Sequence, residues 1–210
     1  MKLGWALLLG AASLMAANVP PPAVDLPAPA AGKVATAVLA GGNFWGAEAV
    51  FERLKGVIAA IAGYAGGKAE DAQEARVVTG KTKHAESVQI TYDPSQISYG
   101  KLLQAFFAVV HDPTQIDRQG PDAGSQYRSV IFYSTDGQKQ VAQSYIRQIE
   151  KAHVFHDPLA TQVSLLTGFF PAEDHHQHYV KRNPSDPYVV QNDVPKLQAL
   201  EQQFPDLLKP

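Results

Sequence analysis

The chain has 210 residues, of which 45% are hydrophobic and 18% are charged, with a formal net charge of -2 and no cysteine. This composition predicts one globular domain with a hydrophobic core, and the interspersed charges argue against nucleic acid as a partner. The lack of cysteine excludes disulfides, thiolate zinc sites, iron–sulfur clusters and every mechanism that needs a thiolate.

The N-terminal residues have the layout of a secretory signal peptide. In MKLGWALLLGAASLMAA (residues 1–17), a lysine precedes an apolar run that small residues follow. The run is short for a membrane span. The cleavage pattern is imperfect, however, because Leu14 or Met15 would occupy a position that normally holds a small residue. An uncleaved N-terminal membrane anchor is therefore the alternative. The sequence therefore predicts export, to a periplasm or to the medium.

Residues 18–32 are rich in proline and alanine. Because proline fixes φ and lacks a backbone donor, this stretch is predicted to be an extended linker outside the packed core. The folded domain is then predicted to span residues 33–208.

Strands and helices alternate along this domain. Apolar or alternating runs predict strands at residues 34–41, 57–65, 86–94 and 130–134. Helical spacing predicts helices at residues 44–54, 98–110, 136–152, 171–183 and 196–204, and residues 117–129 are predicted to form a loop. The pattern indicates an α/β domain of the α+β two-layer type, with a central mixed sheet flanked by helices.

Four motifs occur in order: GGNFWGAEAVFERLKGV with GYAGG, HAESVQITYDPSQISY, HDPTQIDRQGPDAGSQYRS, and FFPAEDHHQHYVKRNP. From about residue 36 to residue 190, the chain resembles the methionine sulfoxide reductase A family. The resemblance implies that family's α/β fold and its reaction, reduction of the S epimer of methionine sulfoxide, free or in proteins. It also implies no cofactor and a thioredoxin-type reductant, and we expect a monomer.

The family's reaction uses a thiolate at a helix N-terminus, which attacks the sulfoxide sulfur. A carboxylic acid that an apolar setting keeps protonated gives its proton to the sulfoxide oxygen. The resulting sulfenic acid is then reduced by a second thiol, from the protein or from an external reductant.

The resemblance assigns roles to five positions. Phe44 and Trp45 match the apolar pocket for the substrate's methyl group, and Glu86 matches the proton donor. Asp122 and Tyr127 match residues that hold the sulfoxide oxygen through hydrogen bonds and ordered water.

Two positions depart from the family. Asn43 occupies the place of the nucleophilic cysteine, and Glu74 falls where the family usually has a second tyrosine. An amide cannot form a sulfenic acid, but asparagine is among the best helix N-cap residues, so Asn43 is predicted to cap the helix. A carboxylate at Glu74 is predicted to perturb the pKa of Glu86, since like charges resist ionising together.

These residues leave three functions open. The first is an active reductase, which the resemblance favours and the missing thiol opposes. The second is a protein on the same fold that binds methionine or its sulfoxide without turnover. The third is hydrolytic acid–base chemistry by Glu86 and Glu74.

The histidine-rich stretch EDHHQHY raises the question of a metal site. His175 and His178 are three residues apart and would share one face of the predicted helix, where Glu173 and Asp174 could join them. The resemblance implies instead a structural helix without metal, which is the expectation here.

Overall fold

The structure is a computed structural model that describes residues 17–27 and 32–210. The predicted signal peptide therefore lies outside the described residues, apart from Ala17. Within the described part of the chain, no helix is both long and apolar enough to cross a membrane.

The centre of the fold is a mixed sheet, as the sequence predicted, but it has six strands and includes two, β7 and β8, that were not predicted. Its strand order is β7-β6-β1-β3-β2-β8, and every neighbouring pair is antiparallel except the parallel pair β6–β7. The strands are β1 (Ala35–Gly41), β2 (Val57–Ala65), β3 (Ala85–Tyr92), β6 (Ser129–Tyr133), β7 (Gln162–Leu165) and β8 (Phe169–Pro171). A separate hairpin pairs β4 (Arg118–Gln119) with β5 (Asp122–Ala123), inside the predicted loop.

Helices cover the sheet, and four of the five predicted helices are present. The helices are α1 (Phe44–Glu52), α2 (Glu74–Val77), α3 (Tyr99–Ala105), α4 (Asp136–Lys151), α5 (Tyr179–Arg182) and α6 (Val194–Gln203). π-helical segments occupy Phe106–Val110, directly after α3, and Val189–Asp193, directly before α6. Ser98 caps α3, because its side chain accepts a hydrogen bond from Lys101 N.

Helix α1 matters most for the site, and its apolar face fixes its position. Val50 and Phe51 are fully buried, as is Leu54 just beyond the helix. Each such side chain contributes about 1.5–3 kcal/mol by leaving water. The chain then reverses at Gly56, whose φ of 82° favours glycine, and enters β2. The first residue of α1 is thereby held at the end of β1.

The prediction that residues 18–32 lie outside the core is wrong for the described part of that stretch. Val19 is 3% exposed and belongs to the main core cluster. Its carbonyl oxygen accepts from Gln104 Nε2 at 2.9 Å, and that of Pro20 accepts from Tyr145 Oη at 2.6 Å. Prolines remove donors but keep their acceptors, so an extended proline-rich segment binds well to side-chain donors on a helical surface.

The predicted helix at residues 171–183 is also wrong over most of its length. Pro171 ends the edge strand β8, a position where its missing N–H costs no ladder bond. Turns follow, and the Gln177 side chain continues the sheet pairing: it accepts from Ala62 N at 3.1 Å and donates to Ala62 O at 2.9 Å. His178 has a left-handed φ of 54°, which no helix tolerates, so only α5 is helical.

Candidate active site

The loop between β1 and α1 presents Asn43 at the start of the helix. Gly42 has a φ of 88°, and a Cβ there would lie 2.5 Å from Gln119 Cγ, so only glycine fits this turn. Asn43 Oδ1 then accepts a hydrogen bond from Trp45 N at 2.8 Å. The predicted N-cap is confirmed, and the Asn43 side chain uses its oxygen to satisfy the helix rather than facing solvent.

Glu86 lies at the same helix terminus. It sits on β3 opposite Tyr64 of β2, and its Oε2 accepts from the Phe44 backbone N–H at 3.2 Å. Two positions 42 residues apart in the chain are thereby brought into contact. The carboxyl group and the Asn43 cap share the positive end of α1.

The surroundings of Glu86 favour its protonated form. The pKa of the carboxyl is raised from the usual 4.5 to about 8, and the main cause is loss of water on burial. The Phe44 N–H opposes this rise, and the charges of Asp122 and Glu74 contribute to it. At neutral pH the carboxyl is therefore mostly protonated and can donate a hydrogen bond or a proton. The contribution of Glu74 has the direction that the sequence predicted.

Asp122 and Tyr127 approach Glu86 from the hairpin region. Asp122 Oδ2 accepts a hydrogen bond from Tyr188 Oη, and burial raises the pKa of Asp122 above its usual value. Burial also raises the pKa of Tyr127 to about 12, with Glu86 and Asp122 adding to the effect, so its hydroxyl stays protonated. Asp122 and Tyr127 therefore carry hydrogen-bonding oxygens within electrostatic range of Glu86.

Aromatic rings pack around the first two residues of α1, next to these groups. The Trp45 ring stacks on Tyr179 with centroids 3.7 Å apart and meets Tyr188 edge-on at 5.7 Å. Phe44 packs against His176 at 5.1 Å. Such a wall of aromatic faces suits a small apolar group such as a thioether methyl.

His176 holds the Trp45 side chain in place through a hydrogen bond. Trp45 Nε1 donates to His176 Nδ1 at 3.1 Å, so the ring proton of the neutral imidazole is on Nε2. His176 is 5% exposed, and its Nε2 has no hydrogen-bond partner within the described residues, although Glu74 Oε2 is 3.4 Å away.

Glu74 lies at the rim of this enclosure. Its backbone N donates to Glu173 Oε1 at 2.9 Å, and its Oε2 is 3.2 Å from His175 Nε2. The Glu74 side chain is 48% exposed, so it faces solvent and the histidines together.

The structure separates the two histidines that were expected to share a helix face. His175 faces Glu74, whereas His178 Nδ1 lies 2.5 Å from Glu52 Oε1 on α1. Glu173 Oε2 accepts from Tyr64 Oη instead of joining them. The predicted grouping of His175 with His178 is therefore wrong, because the expected helix is a turn.

Sequence reasoning missed Tyr188 and His176 as members of this site. Tyr188 reaches Asp122 across 66 residues, and His176 reaches Trp45 across 131. His176 lies in the histidine-rich stretch EDHHQHY, but nothing in that pattern links it to Trp45, and no local pattern marks Tyr188. Each residue acquires its place only when distant segments pack together.

Comparison with known proteins agrees with this geometry. Residues 35–208 match the family model described as peptide methionine sulfoxide reductase. The peptide methionine sulfoxide reductase MsrA 2 of Mesorhizobium japonicum is 53% identical over 172 residues, which cover 82% of this chain and 88% of that protein. The MsrA 2 of Synechocystis sp. is 52% identical over 193 residues, covering 91% and 90%.

A solved structure supports the same assignment. Methionine sulfoxide reductase A of Corynebacterium diphtheriae matches with a TM-score of 0.61 and 31% identity, over 80% of this chain and 83% of that one. The fold is that of a methionine sulfoxide reductase. The chain belongs to the peptide methionine sulfoxide reductase family, in its MsrA branch. The fold class and the family that the motifs predicted are both confirmed.

Proposed function

We propose that this protein binds methionine sulfoxide side chains in the family's pocket but does not reduce them through thiol chemistry. The observation that carries the proposal is the Asn43 cap: Oδ1 is bonded to Trp45 N at the helix terminus of a chain that contains no cysteine.

The chemistry of residue 43 rules out the thiol cycle. The lone pair of an amide nitrogen is delocalised into its carbonyl, so Asn43 is a poor nucleophile and forms neither a sulfenic acid nor a disulfide. With no cysteine elsewhere, nothing in the chain offers a disulfide for a thioredoxin-type reductant. The family's thiol cycle is thus closed to this sequence.

The rest of the pocket supports binding. A sulfoxide oxygen carries partial negative charge and accepts hydrogen bonds, and protonated Glu86 and the Tyr127 hydroxyl are donors at neutral pH. The rings of Phe44 and Trp45 offer an apolar surface for the methyl group. Reduced methionine lacks the oxygen, so these donors favour the sulfoxide.

The hydrolytic alternative gains no support. Glu86 is bonded to the start of α1, whereas Glu74 faces His175 at the rim, so the two carboxyls have different partners.

Calorimetric titration with a short peptide carrying S-methionine sulfoxide tests the proposal. We expect saturable binding that is weaker for the R epimer and for the reduced peptide. Tyr127→Phe removes one donor and should weaken binding by about 3–10-fold. Tyr133→Phe, a matched change on β6, should leave affinity unchanged. Equal affinity for oxidised and reduced peptides would contradict the proposal.

Export is a second element of the proposal. The signal-like sequence of residues 1–17 supports it, and cleavage before Asn18 would leave intact the proline-rich segment that packs on the domain. N-terminal sequencing of the mature protein from the producing cells tests this. An N-terminus that retains residues 1–17, or one that begins beyond residue 27, would contradict it.

A further inference from the structure

A second cluster of ionisable side chains lies at the far end of α1. Glu48 and Glu52, one helical turn apart, face His178 from the turn before α5. His178 Nδ1 is 2.5 Å from Glu52 Oε1 and 3.9 Å from Glu48 Oε1. One atom from each residue lies within 4.8 Å of the other two.

Glu48 shows that this cluster is incomplete. Glu48 is 1% exposed, and its Oε2 accepts a hydrogen bond from the His178 backbone N–H at 2.7 Å. Oε1 is fully buried, yet it has no hydrogen-bond partner anywhere in residues 17–27 and 32–210. A buried carboxylate oxygen without a partner is costly and is rare in folded proteins. It points toward His178 and Glu52, so a group bound among the three would satisfy it.

We propose that Glu48, Glu52 and His178 bind one divalent cation of the zinc type. One imidazole nitrogen and two carboxylate oxygens are ligands that Zn²⁺ accepts, with a fourth position left for water. Ligand atoms about 2.0 Å from a tetrahedral ion are about 3.3 Å apart. The two distances from His178 Nδ1, 2.5 and 3.9 Å, lie on either side of that spacing, so small side-chain rotations suffice.

The site has an access route. Glu52 and His178 line an open cleft of about 590 Å³, and the side chain of His178 is 48% exposed. An ion can therefore reach Glu52 and His178 from the solvent through this cleft.

The other acidic and histidine cluster is a poorer candidate. Glu74, His175 and His176 also place three ligand-type atoms within 4.8 Å of one another. His176 Nδ1 accepts from Trp45 Nε1, however, which leaves the ring proton on Nε2, the atom that faces Glu74. For Nε2 to bind an ion, the ring proton would have to move to Nδ1, which would break the Trp45 contact. His178 Nδ1 faces Glu52 and not Trp45, so an ion there displaces only the proton shared with Glu52.

Two lysines oppose a cation in the proposed site. Lys209 Nζ donates to the Glu52 backbone oxygen at 2.7 Å, and Lys181 lines the same cleft. Their charge weakens binding, so Lys181→Gln is expected to tighten it.

A cation bound at this site would link α1 to the turn that precedes α5. Glu48 and Glu52 are on the helix whose first turn holds Asn43, and His178 follows the turn that carries His176, the partner of Trp45. The ion would therefore cross-link α1 to the wall of the pocket, and would stabilise the folded chain in proportion to its concentration.

Titration of the untagged protein with ZnCl₂, followed by calorimetry and by thermal unfolding, tests the proposal. We expect one ion per chain and a rise in Tm. Glu48→Gln, which keeps the acceptor for His178 N, and Glu52→Gln should each weaken binding at least about tenfold. His178→Asn, which suits the left-handed backbone, should do the same.

His175→Gln is the matched control and should leave zinc affinity unchanged. Absence of saturable binding by the unmodified protein overturns the proposal. Zinc binding that survives both Glu48→Gln and His178→Asn overturns it as well, as does binding lost only in His175→Gln, which would place the ion beside Glu74. Because Glu52 is partly exposed, Glu52→Gln keeps the test valid if the buried variant fails to fold.

Discussion

The backbone N–H of Phe44 donates a hydrogen bond to Oε2 of Glu86 over 3.2 Å, which places a mostly protonated carboxyl at the first turn of α1. This contact involves the main chain of residue 44 and is independent of the side chain at residue 43. The acid and the helix terminus therefore keep their arrangement whether residue 43 is a thiol or an amide. That independence explains how the pocket persists around Asn43.

The Asn43 cap should contribute measurably to stability. Asn43→Ala removes the acceptor for Trp45 N and should lower the free energy of unfolding by about 1 kcal/mol, whereas Asn43→Ser keeps a capping oxygen and should cost less. Urea unfolding of both variants measures this. Equal losses in the two variants would show that the cap is not the source of the effect.

Glu86 should make stability depend on pH. Its folded pKa of about 8 exceeds the unfolded value of 4.5, so the folded state holds an extra proton between these values. The contribution of Glu86 to the free energy of unfolding is then fully present below about pH 4.5. It falls as the pH rises toward 8, by at most about 1.4 kcal/mol per pH unit.

Glu86→Gln keeps the shape but removes this titration. Between pH 5 and pH 8, the unfolding free energy of the unmodified protein should fall relative to that of the variant. Parallel pH curves for the two proteins would mean that Glu86 has an ordinary pKa.

The N-terminal segment should behave as part of the domain. Tyr145→Phe removes the hydrogen bond to Pro20 O and should cost about 1 kcal/mol of unfolding free energy. Tyr99→Phe is the control, since the Tyr99 hydroxyl is buried without a partner in the described residues, and its removal should be neutral or stabilising. After truncation through residue 27, the cost of Tyr145→Phe should disappear. A cost that persists would contradict packing of the segment.

Tyr188 should control the ionisation of Asp122. Its hydroxyl donates to Asp122 Oδ2 and favours the charged form, so Tyr188→Phe should raise the pKa of Asp122 beyond the elevation that burial causes. An NMR titration of the Asp122 carboxyl measures this shift. Tyr179→Phe, whose hydroxyl bonds Asp186 instead, should leave Asp122 unchanged.

Local periodicity was sufficient to predict most of the fold. The buried face of α1, the alternation in β3 and the Ser98 cap of α3 each depend on residues close in sequence, and all are present. The stretch from Pro171 failed because its structure is decided by a distant strand: pairing of β8 with β2 and the Gln177 contacts with Ala62 outweigh local helix preference.

The same distinction holds for the site. The motifs predicted that Asn43, Glu86 and Asp122 belong to one site. The structure places Asn43 and Glu86 at the N-terminus of α1, and the charge of Asp122 acts on Glu86. Tyr188 and the cluster of Glu48 with His178 could not be predicted, because they depend on the turn that replaced the expected helix.

The central claim is that the pocket is intact and lacks only its nucleophile. The most direct test compares the unmodified protein with Asn43→Cys in reducing an S-methionine sulfoxide peptide, with dithiothreitol in excess. We predict no turnover by the unmodified protein and turnover by the variant, because a thiol there would meet the helix N-terminus and protonated Glu86. Turnover by the unmodified protein, or an inactive but folded Asn43→Cys variant, would contradict the account.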